Sequence, residues 1–229
     1  LDIPAVTLEA GDIVDVFAIG GANGYDLQIA SVTGFNLTTA TVNVAHFAPF
    51  AMGAENTSVS VYLNGEEAIP DFLFGDIAAG VELPVGDYLV EIIPTGSMTA
   101  AISDTFTLDD MQYTLAALGD GSNQGLELAA LVDETVPMTD SAKLRIAHMA
   151  PWAAGDALVD VCVDGTTSPL LPNLAYKDFT DPYLQLAPGN YDLLIAVAGT
   201  SCGSVALDIP AGTLEAGDIV DVFAIGGAN

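Results

Sequence analysis

The sequence has 229 residues, 51% of them hydrophobic, and 31 Asp and Glu outweigh three Lys and Arg to give a formal net charge of −28. A surface this negative repels nucleic acid, whose binding depends on Lys and Arg, and the apolar content argues against a disordered chain. Because no apolar run reaches the roughly 20 residues that a membrane-spanning helix needs, we expect no membrane insertion.

The chain opens on a segment that occurs a second time from residue 207 onward. Residues 1–23 and 207–229 differ only where Val6 is replaced by Gly212. Both copies contain the run Ile-Val-Asp-Val-Phe-Ala-Ile, whose apolar residues suit a β-strand, and residues 24–35 follow the first copy with a further alternating run. The residues predicted to form these assembly strands are Ile13, Val14, Val16, Phe17, Ile19, Leu27, Ile29, Val32, Ile219, Val220, Val222, Phe223 and Ile225.

An older and looser repeat relates the two halves of the remaining chain. Residues 41–50 (TVNVAHFAPF) align with 143–152 (KLRIAHMAPW), 59–65 (VSVYLNG) with 159–165 (VDVCVDG), and 83–92 (LPVGDYLVEI) with 186–195 (LAPGNYDLLI). Short alternating runs with turn signals near every tenth residue predict an all-β fold. We expect two tandem immunoglobulin-like, Greek-key β-sandwiches, domain A at 36–138 and domain B at 139–229.

Each predicted domain carries local turn signals. Asn64-Gly65 and Asp164-Gly165 tolerate the positive φ of a tight hairpin turn. A Gly-x-Tyr turn places Tyr88 and Tyr191 at the start of an apolar strand, as a tyrosine corner does in β-sandwiches.

Domain A has a predicted closing strand, residues 125–133 (GLELAALVD), for which domain B has no counterpart before Asn229. Residues 24–35 (GYDLQIASVTGF) match that strand, so we interpret residues 1–35 as the tail of a B-type domain that belongs to a neighbouring or preceding unit. A fixed repeat period indicates an array. The alternative is a set of separate subunits that lend each other strands.

The runs VNVAHFAPF, VSVYLNGEEAIPDFLFGD and VELPVGDYLVEI, with their counterparts in the second half, resemble the domain-of-unknown-function family numbered 4397. The resemblance implies secreted or surface-exposed immunoglobulin-like sandwiches, often in tandem, and it implies no catalytic activity. The polar Ser and Asp that the family usually carries after its His are replaced here by Ala48 and Phe50, and by Ala150 and Trp152.

Few residues have the pattern of a chemical site. His46 and His148 fall on the core-facing side of their strands, so we expect buried rings that donate to nearby carbonyls. Cys162 and Cys202 predict a disulfide, with two unpaired thiols as the alternative. We find no nucleophile with an orienting partner and predict that the protein is not an enzyme.

Acidic pairs offer weak Ca²⁺ binding at most, since none has the spacing of a known calcium loop, and we predict no other cofactor. The candidates are Asp109 with Asp110, the segment Asp120-Gly-Ser-Asn123, Asp178 with Asp181, and Asp218 with Asp221. Asn36 and Asn56 head acceptor triplets for N-glycosylation.

The apolar residues Phe47, Phe50, Met149 and Trp152 flank two equivalent prolines and are assigned either to the domain core or to a contact between domains.

These features predict a structural repeat unit of an extracellular filament, stalk or surface assembly, whose partners are copies of itself joined head to tail. The alternative hypothesis is a cell-surface adhesin or glycan-binding module in a tandem array, where repetition supplies reach and avidity.

Overall fold

Alternating apolar residues and frequent turn signals give a chain made almost entirely of β-strands. The structure, a computed structural model, describes residues 13–21, 24–32, 38–151 and 158–226. Within these ranges the other regular element is a single 3₁₀ turn at Ala54–Asn56, and none of them contains a helix long and apolar enough to cross a membrane. The prediction of an all-β fold is confirmed.

The strands of the described ranges are, in chain order, β1 (Ile13–Gly21), β2 (Gly24–Val32), β3 (Thr39–His46), β4 (Val59–Leu63), β5 (Glu66–Phe72), β6 (Ile77–Pro84), β7 (Gly86–Pro94), β8 (Ile102–Leu108), β9 (Gln112–Leu118), β10 (Glu127–Asp133), β11 (Ala142–His148), β12 (Val159–Val163), β13 (Leu171–Leu174), β14 (Leu184–Leu186), β15 (Gly189–Val197), β16 (Val205–Leu214) and β17 (Ile219–Ala224).

Strands β3 to β10 form two four-stranded sheets, ordered β10-β9-β3-β6 and β5-β4-β7-β8, which we call the first sheet pair. Strand β3 runs parallel to β9, and the other pairings are antiparallel. Apolar residues of both sheets, among them Val61, Ile92 and Leu128, bury one another in a common core, as in a β-sandwich.

Strands β11 to β17 form a second sheet pair, with the orders β14-β11-β17 and β13-β12-β15-β16. Strand β11 runs parallel to β17, as β3 does to β9. Leu144 and Ile146 of one sheet pack with Val161 and Leu193 of the other in a shared core.

The two sheet pairs differ at one edge. In the first, β9 lies between β3 and β10, whereas β17 pairs with β11 and no strand of the described ranges pairs with its other edge. Strands β1 and β2 form a separate antiparallel sheet in which Ile13 lies opposite Val32 and Gly21 opposite Gly24.

Equivalent tyrosines close a turn in each sheet pair. The Tyr88 hydroxyl donates to the Pro84 carbonyl at 2.9 Å, and the Tyr191 hydroxyl donates to the Ala187 carbonyl at 2.8 Å. These bonds return to the backbone four residues upstream, the geometry expected of a tyrosine corner.

The two predicted hairpin turns have different outcomes. Asn64 and Gly65, at φ 52° and 84°, join β4 directly to its antiparallel partner β5, as predicted. After β12, Asp164 and Gly165 form a turn that is closed by the Thr166 N–H, which donates to the Val163 carbonyl at 3.1 Å. Strand β13 pairs antiparallel with β12 only from Leu171 onward, so the predicted turn is present and the connection of this hairpin is longer than that between β4 and β5.

Candidate functional site at the junction of the sheet pairs

Apolar residues from the ends of several strands meet where the two sheet pairs touch. Phe47 and Leu131 of the first sheet pair are buried with Ala147 and Met149 of the second. The Phe47 ring lies 5.1 Å from the Phe223 ring, centroid to centroid, and is tilted by 42° against it. The two sheet pairs therefore share an apolar contact at which water is excluded from both.

Of the four residues considered for a contact between domains, three are described, and they lie in two different places. Phe47 and Met149 lie in the shared cluster just described. Phe50 packs instead against the core of the first sheet pair, with its ring stacked 5.9 Å from that of His46. Trp152 lies outside the described residues.

A buried arginine lies beside this apolar contact. Arg145, at 1% exposure, extends from β11 towards β10, where its Nη2 meets Asp133 Oδ1 at 2.5 Å and its Nη1 donates to the Val132 carbonyl at 2.9 Å. Its Nε lies 2.8 Å from Asp221 Oδ1 of β17, an ion pair whose angle does not suit a hydrogen bond. One guanidinium thus contacts Asp221 within its own sheet pair and joins that pair to the first sheet pair through Asp133.

The groups around this arginine hold it in one position. Asp133 Oδ2 accepts hydrogen bonds from Thr114 Oγ1 at 2.8 Å and from Asn43 Nδ2 at 3.2 Å. The Tyr183 ring covers the guanidinium, with 5.0 Å between its centroid and Arg145 Cζ, a cation–π distance. The fixed carboxylate and the ring over the guanidinium let the ion pair offset the desolvation of its charges.

Burial changes the acid–base behaviour of the neighbouring groups. Burial raises the pKa of Asp221, although the nearby Tyr183 hydroxyl and the charge of Arg145 act in the opposite direction. Burial likewise raises the pKa of the Tyr183 hydroxyl, and the nearby Asp221 carboxylate adds to that rise. Tyr183 therefore stays neutral at physiological pH.

All three basic residues of the chain lie at this junction. Lys143 pairs with Glu134, Arg145 with Asp133, and Lys177 with Glu127 at 2.9 Å. The three basic partners belong to the second sheet pair, and the three acidic partners lie on or directly after β10 of the first. In a chain of net charge −28, the cations are thus concentrated where two acidic bodies would otherwise repel each other.

A cleft of about 640 Å³ opens beside the ion pairs. Its walls carry one exposed aromatic ring, Phe179 at 38% exposure, together with the buried Tyr183 and the amide of Gln185. Glu134 and Asp181 add carboxylates. This mixture of ring faces and hydrogen-bonding groups suits a polar organic ligand.

The two equivalent histidines are both buried, as predicted, and burial lowers the pKa of each. The prediction of a carbonyl partner is confirmed at His46, whose Nε2 donates to the Thr57 carbonyl at 2.8 Å while Nδ1 accepts from the Ala48 N–H at 3.3 Å. His148 has no hydrogen-bond partner among the described residues, and residue 157, which aligns with Thr57, lies outside them.

Three of the aspartates considered for Ca²⁺ accept local backbone hydrogen bonds. Asp120 accepts from the backbone N–H groups of Ser122, Asn123 and Gln124, which overcome the effect of burial and lower its pKa to about 2. Asp178 and Asp218 each accept a backbone N–H three residues upstream. Across the described ranges, no group of three or more His, Cys, Asp or Glu side chains is arranged to hold a metal ion.

The predicted disulfide and one of the two predicted N-glycosylation sites lie within the described residues. Cys162 and Cys202 form a disulfide, with 6.1 Å between their Cα atoms, that is buried against Leu194 and Ala196. Asn56 is exposed, and its Nδ2 donates to the Met52 carbonyl at 2.7 Å. Asn36 lies outside the described residues.

Residues 40–156 match the family model described as Domain of unknown function (DUF4397). The chain belongs to this family. The family number predicted from the sequence motifs is thereby confirmed. The description of the family assigns it no activity. No curated protein matches the chain.

A search of solved structures gives a similarity to CBMbc, a family CBM26 module from Eubacterium rectale Amy13K solved in complex with maltoheptaose. The two are 13% identical with a TM-score of 0.24, and the alignment covers 82% of this chain and 93% of that one.

The sequence analysis did not identify Arg145, which lies at the centre of the site. Arg145 lies in an alternating strand between Leu144 and Ile146, and a cation in that setting within a chain of only three basic residues was a usable signal. Tyr183 gave no comparable signal, because its contact with Arg145 depends on how β14 and β11 are brought together.

Proposed function

We propose that the chain is a rigid structural repeat unit of an extracellular array whose partners are further copies of itself. In this proposal residues 36–138 and 139–229 are two copies of the family domain, folded as tandem immunoglobulin-like sandwiches with Greek-key connections. The proposed role is mechanical and involves no catalysis or cofactor.

Equivalent contacts in the two sheet pairs support the assignment of two domain copies. The parallel pairing of β3 with β9 recurs in β11 with β17, and the tyrosine bond of Tyr88 recurs at Tyr191. The backbone N–H of His46 donates to the Asp76 carbonyl at 3.0 Å, and that of His148 donates to the Asp178 carbonyl at 2.9 Å. Such agreement in hydrogen bonding is expected of a duplicated fold.

The observation that carries the proposal is the buried ion pairing at the junction, in which Arg145 contacts both Asp133 and Asp221. Contacts between domains on one chain are usually modest and permit relative motion. A junction with a buried ion network and a shared apolar cluster resists such motion. The sequence repeats with a period of 206 residues, from residue 1 to residue 207. Rigid joints that recur at this period suit an extended array.

The proposed extracellular location is supported by the disulfide between Cys162 and Cys202, since such bonds persist in oxidising compartments. The charge of −28 adds to this by keeping a half-apolar polypeptide soluble outside the cell.

The mass of the native polypeptide, measured after boiling in denaturant and reductant, tests the array. A covalent array predicts a species far heavier than the 23.4 kDa of this sequence, or a ladder with a 206-residue step. A band near 23.4 kDa that assembles only under native conditions would indicate strand-exchanged subunits. A compact native monomer of that mass would contradict both forms of the proposal.

The second candidate function, recognition of a glycan, is favoured by the cleft at the junction. Its exposed Phe179 ring offers a stacking face, and Gln185 and Asp181 supply hydrogen-bonding groups beside it. The carboxylates of the cleft favour neutral sugars over acidic ones.

Titration calorimetry with neutral oligosaccharides tests this second candidate. Replacing Phe179 by Ala should abolish binding, whereas Phe179→Tyr, which keeps the ring, should retain it. Binding that is unchanged in Phe179→Ala would exclude the cleft as the glycan site.

A further inference from the structure

Strand β17 has one edge that no strand in the described part of the chain covers, and backbone groups on that edge are directed away from the sheet. The carbonyls of Asp218 and Ala224 accept hydrogen bonds from the Lys143 and Met149 N–H groups of the neighbouring segment, each at 2.8 Å. Because backbone groups alternate in direction along a strand, Asp221 and Phe223 direct their N–H and C=O groups to the opposite edge. In the first sheet pair the equivalent edge of β9 is covered by β10.

Beside this edge, an apolar groove opens between β17 and β16. It is made of two adjoining cavities of about 200 and 160 Å³, and the walls of both carry Ile209 and Val222. Ile195 and Ala224, which also line it, align with Ile92 and Ala117 of the first sheet pair. There the same place is filled by the buried Leu128 of β10.

The sequence of the molecule contains a strand that fits this groove. Residues 13–19 of β1 are identical to residues 219–225, and β1 pairs with β2 so that Val16 lies opposite Ile29 and Ala18 opposite Leu27. The same register on β17 places Ile29 opposite Val222 and Leu27 opposite Ala224. Cross-strand partners share a face of a sheet, so both would face the groove.

The first sheet pair provides an independent check of that register. Leu128 of β10 lies opposite Ala117 of β9. Ala117 is the equivalent of Ala224, because Ala117 lies opposite His46 in the parallel pairing of β3 with β9 and Ala224 lies opposite His148 in the parallel pairing of β11 with β17. The transferred register therefore puts Leu27 in the position that Leu128 takes in the first sheet pair.

We propose that the edge of β17 is an acceptor site for residues 24–32 of a second copy of this chain, which add antiparallel to β17 and fill the groove with Leu27 and Ile29. The inference rests on the proposed array of copies and specifies its joint. When residues 24–32 pair with β17 instead of β1, they can form the same backbone hydrogen bonds, because residues 13–19 and 219–225 are identical. Their apolar residues also become buried in the groove.

Addition of a labelled synthetic peptide of residues 24–35 to the full chain, followed by fluorescence anisotropy, tests the acceptor site. The expected result is saturable one-to-one binding. In the proposed register Ala30 lies opposite Asp221 and directs its N–H to β17, whereas the N–H of Ile29 points away. N-methylation at Ala30 should weaken binding by more than about tenfold, through a lost hydrogen bond and a steric clash, and N-methylation at Ile29 should leave it unchanged.

Cross-linking assigns the bound edge, since β1 provides a matched control for β17. A peptide with Ile29→Cys should form a disulfide with the Val222→Cys chain and not with the Val16→Cys chain, where β2 already occupies the edge. A peptide with Ser31→Cys is out of register with position 222 and should react poorly. Equal reaction of both chain variants, or equal binding of a scrambled peptide, would overturn the proposal.

The outcomes separate this inference from the proposed function. Peptide binding together with a native mass near 23.4 kDa would support the acceptor edge as the joint between separate subunits. A heavy native polypeptide whose chain does not bind the peptide would preserve the array and overturn the acceptor site.

Discussion

Arg145 shows how one residue can join two bodies. Its planar guanidinium presents several donors in a fixed fork, so it contacts Asp133, the Val132 carbonyl and Asp221 together, which a lysine ammonium could not do in the same geometry. With 1% of its surface exposed, the cation is removed from the screening that weakens surface ion pairs.

Replacing Arg145 by Met should lower the free energy of unfolding by about 3 to 5 kcal/mol, because it leaves the buried Asp133 carboxylate without its counter-charge. Denaturant unfolding monitored by circular dichroism measures the loss. The triple variant Arg145→Met, Asp133→Asn, Asp221→Asn should recover most of it, since no buried charge remains unpaired.

The matched control is Lys177→Met, which removes an ion pair whose side chains are 47% and 44% exposed. Its effect should stay within about 1 kcal/mol, as for other surface pairs. Equal effects of the Arg145 and Lys177 substitutions would contradict the role given to the buried arginine.

His46 and His148 should make the protein sensitive to mild acid. Burial holds both pKa values below the ordinary 6.5, so the unfolded chain binds protons more tightly than the folded one. Stability is therefore fully present above pH 6.5 and falls as the pH is lowered from 6.5 through the depressed folded pKa values.

The double variant His46→Gln, His148→Gln should lose that part of the pH dependence. Denaturant unfolding at a series of pH values from 7 to 5 would show a shallower decline than in the parent chain, by up to about 1.4 kcal/mol per pH unit for each histidine. Parallel pH profiles of parent and variant would contradict the assignment.

The residue-scale features that could be predicted from sequence are those set by local pattern. Strand alternation places His46 in the core, and the Gly-x-Tyr turn directs Tyr88 to a backbone carbonyl four residues away. The pairing of Arg145 with Asp221 could not be predicted in this way, because these residues are brought together only by the parallel alignment of β11 and β17.

At the scale of elements, alternation identifies strands but leaves their direction open. The closing strand β10 was predicted as residues 125–133 and is found at Glu127–Asp133. That β9 runs parallel to β3 could not be predicted, because the period-two alternation of side chains does not depend on whether a strand runs parallel or antiparallel to its neighbour. The turn predicted after β12 is present at Asp164-Gly165, but the length of the connection to β13 could not be predicted, because Asp-Gly marks a turn without fixing where the next strand begins.

The disulfide should stabilise the second sheet pair by tying β12 to the turn before β16. It closes a loop with a sequence separation of 40, for which the chain-entropy model gives about 4 kcal/mol. The variant Cys162→Ala, Cys202→Ala should therefore unfold at a lower denaturant concentration, and reductant should lower the midpoint of the parent chain but not that of the variant. A parent midpoint that is insensitive to reductant under unfolding conditions would contradict this stabilisation.

At the scale of the whole molecule, charge and repetition act together. The surplus of acidic residues makes acidic bodies repel one another, and the three cations offset that repulsion at the junction between the sheet pairs. The sequence repeat indicates an array without specifying its joints. The structure adds a buried, ion-paired junction between the sheet pairs and an edge of β17 that no strand of the described ranges covers, at which the next copy is proposed to add.

The central claim is a rigid array, and its most direct test is small-angle X-ray scattering from recombinant chains of one, two and three consecutive 206-residue units. Rigid joints predict that the maximum dimension grows by an equal increment with each added unit. Growth that falls towards the square root of the unit number, as in a flexibly linked chain, would contradict the account.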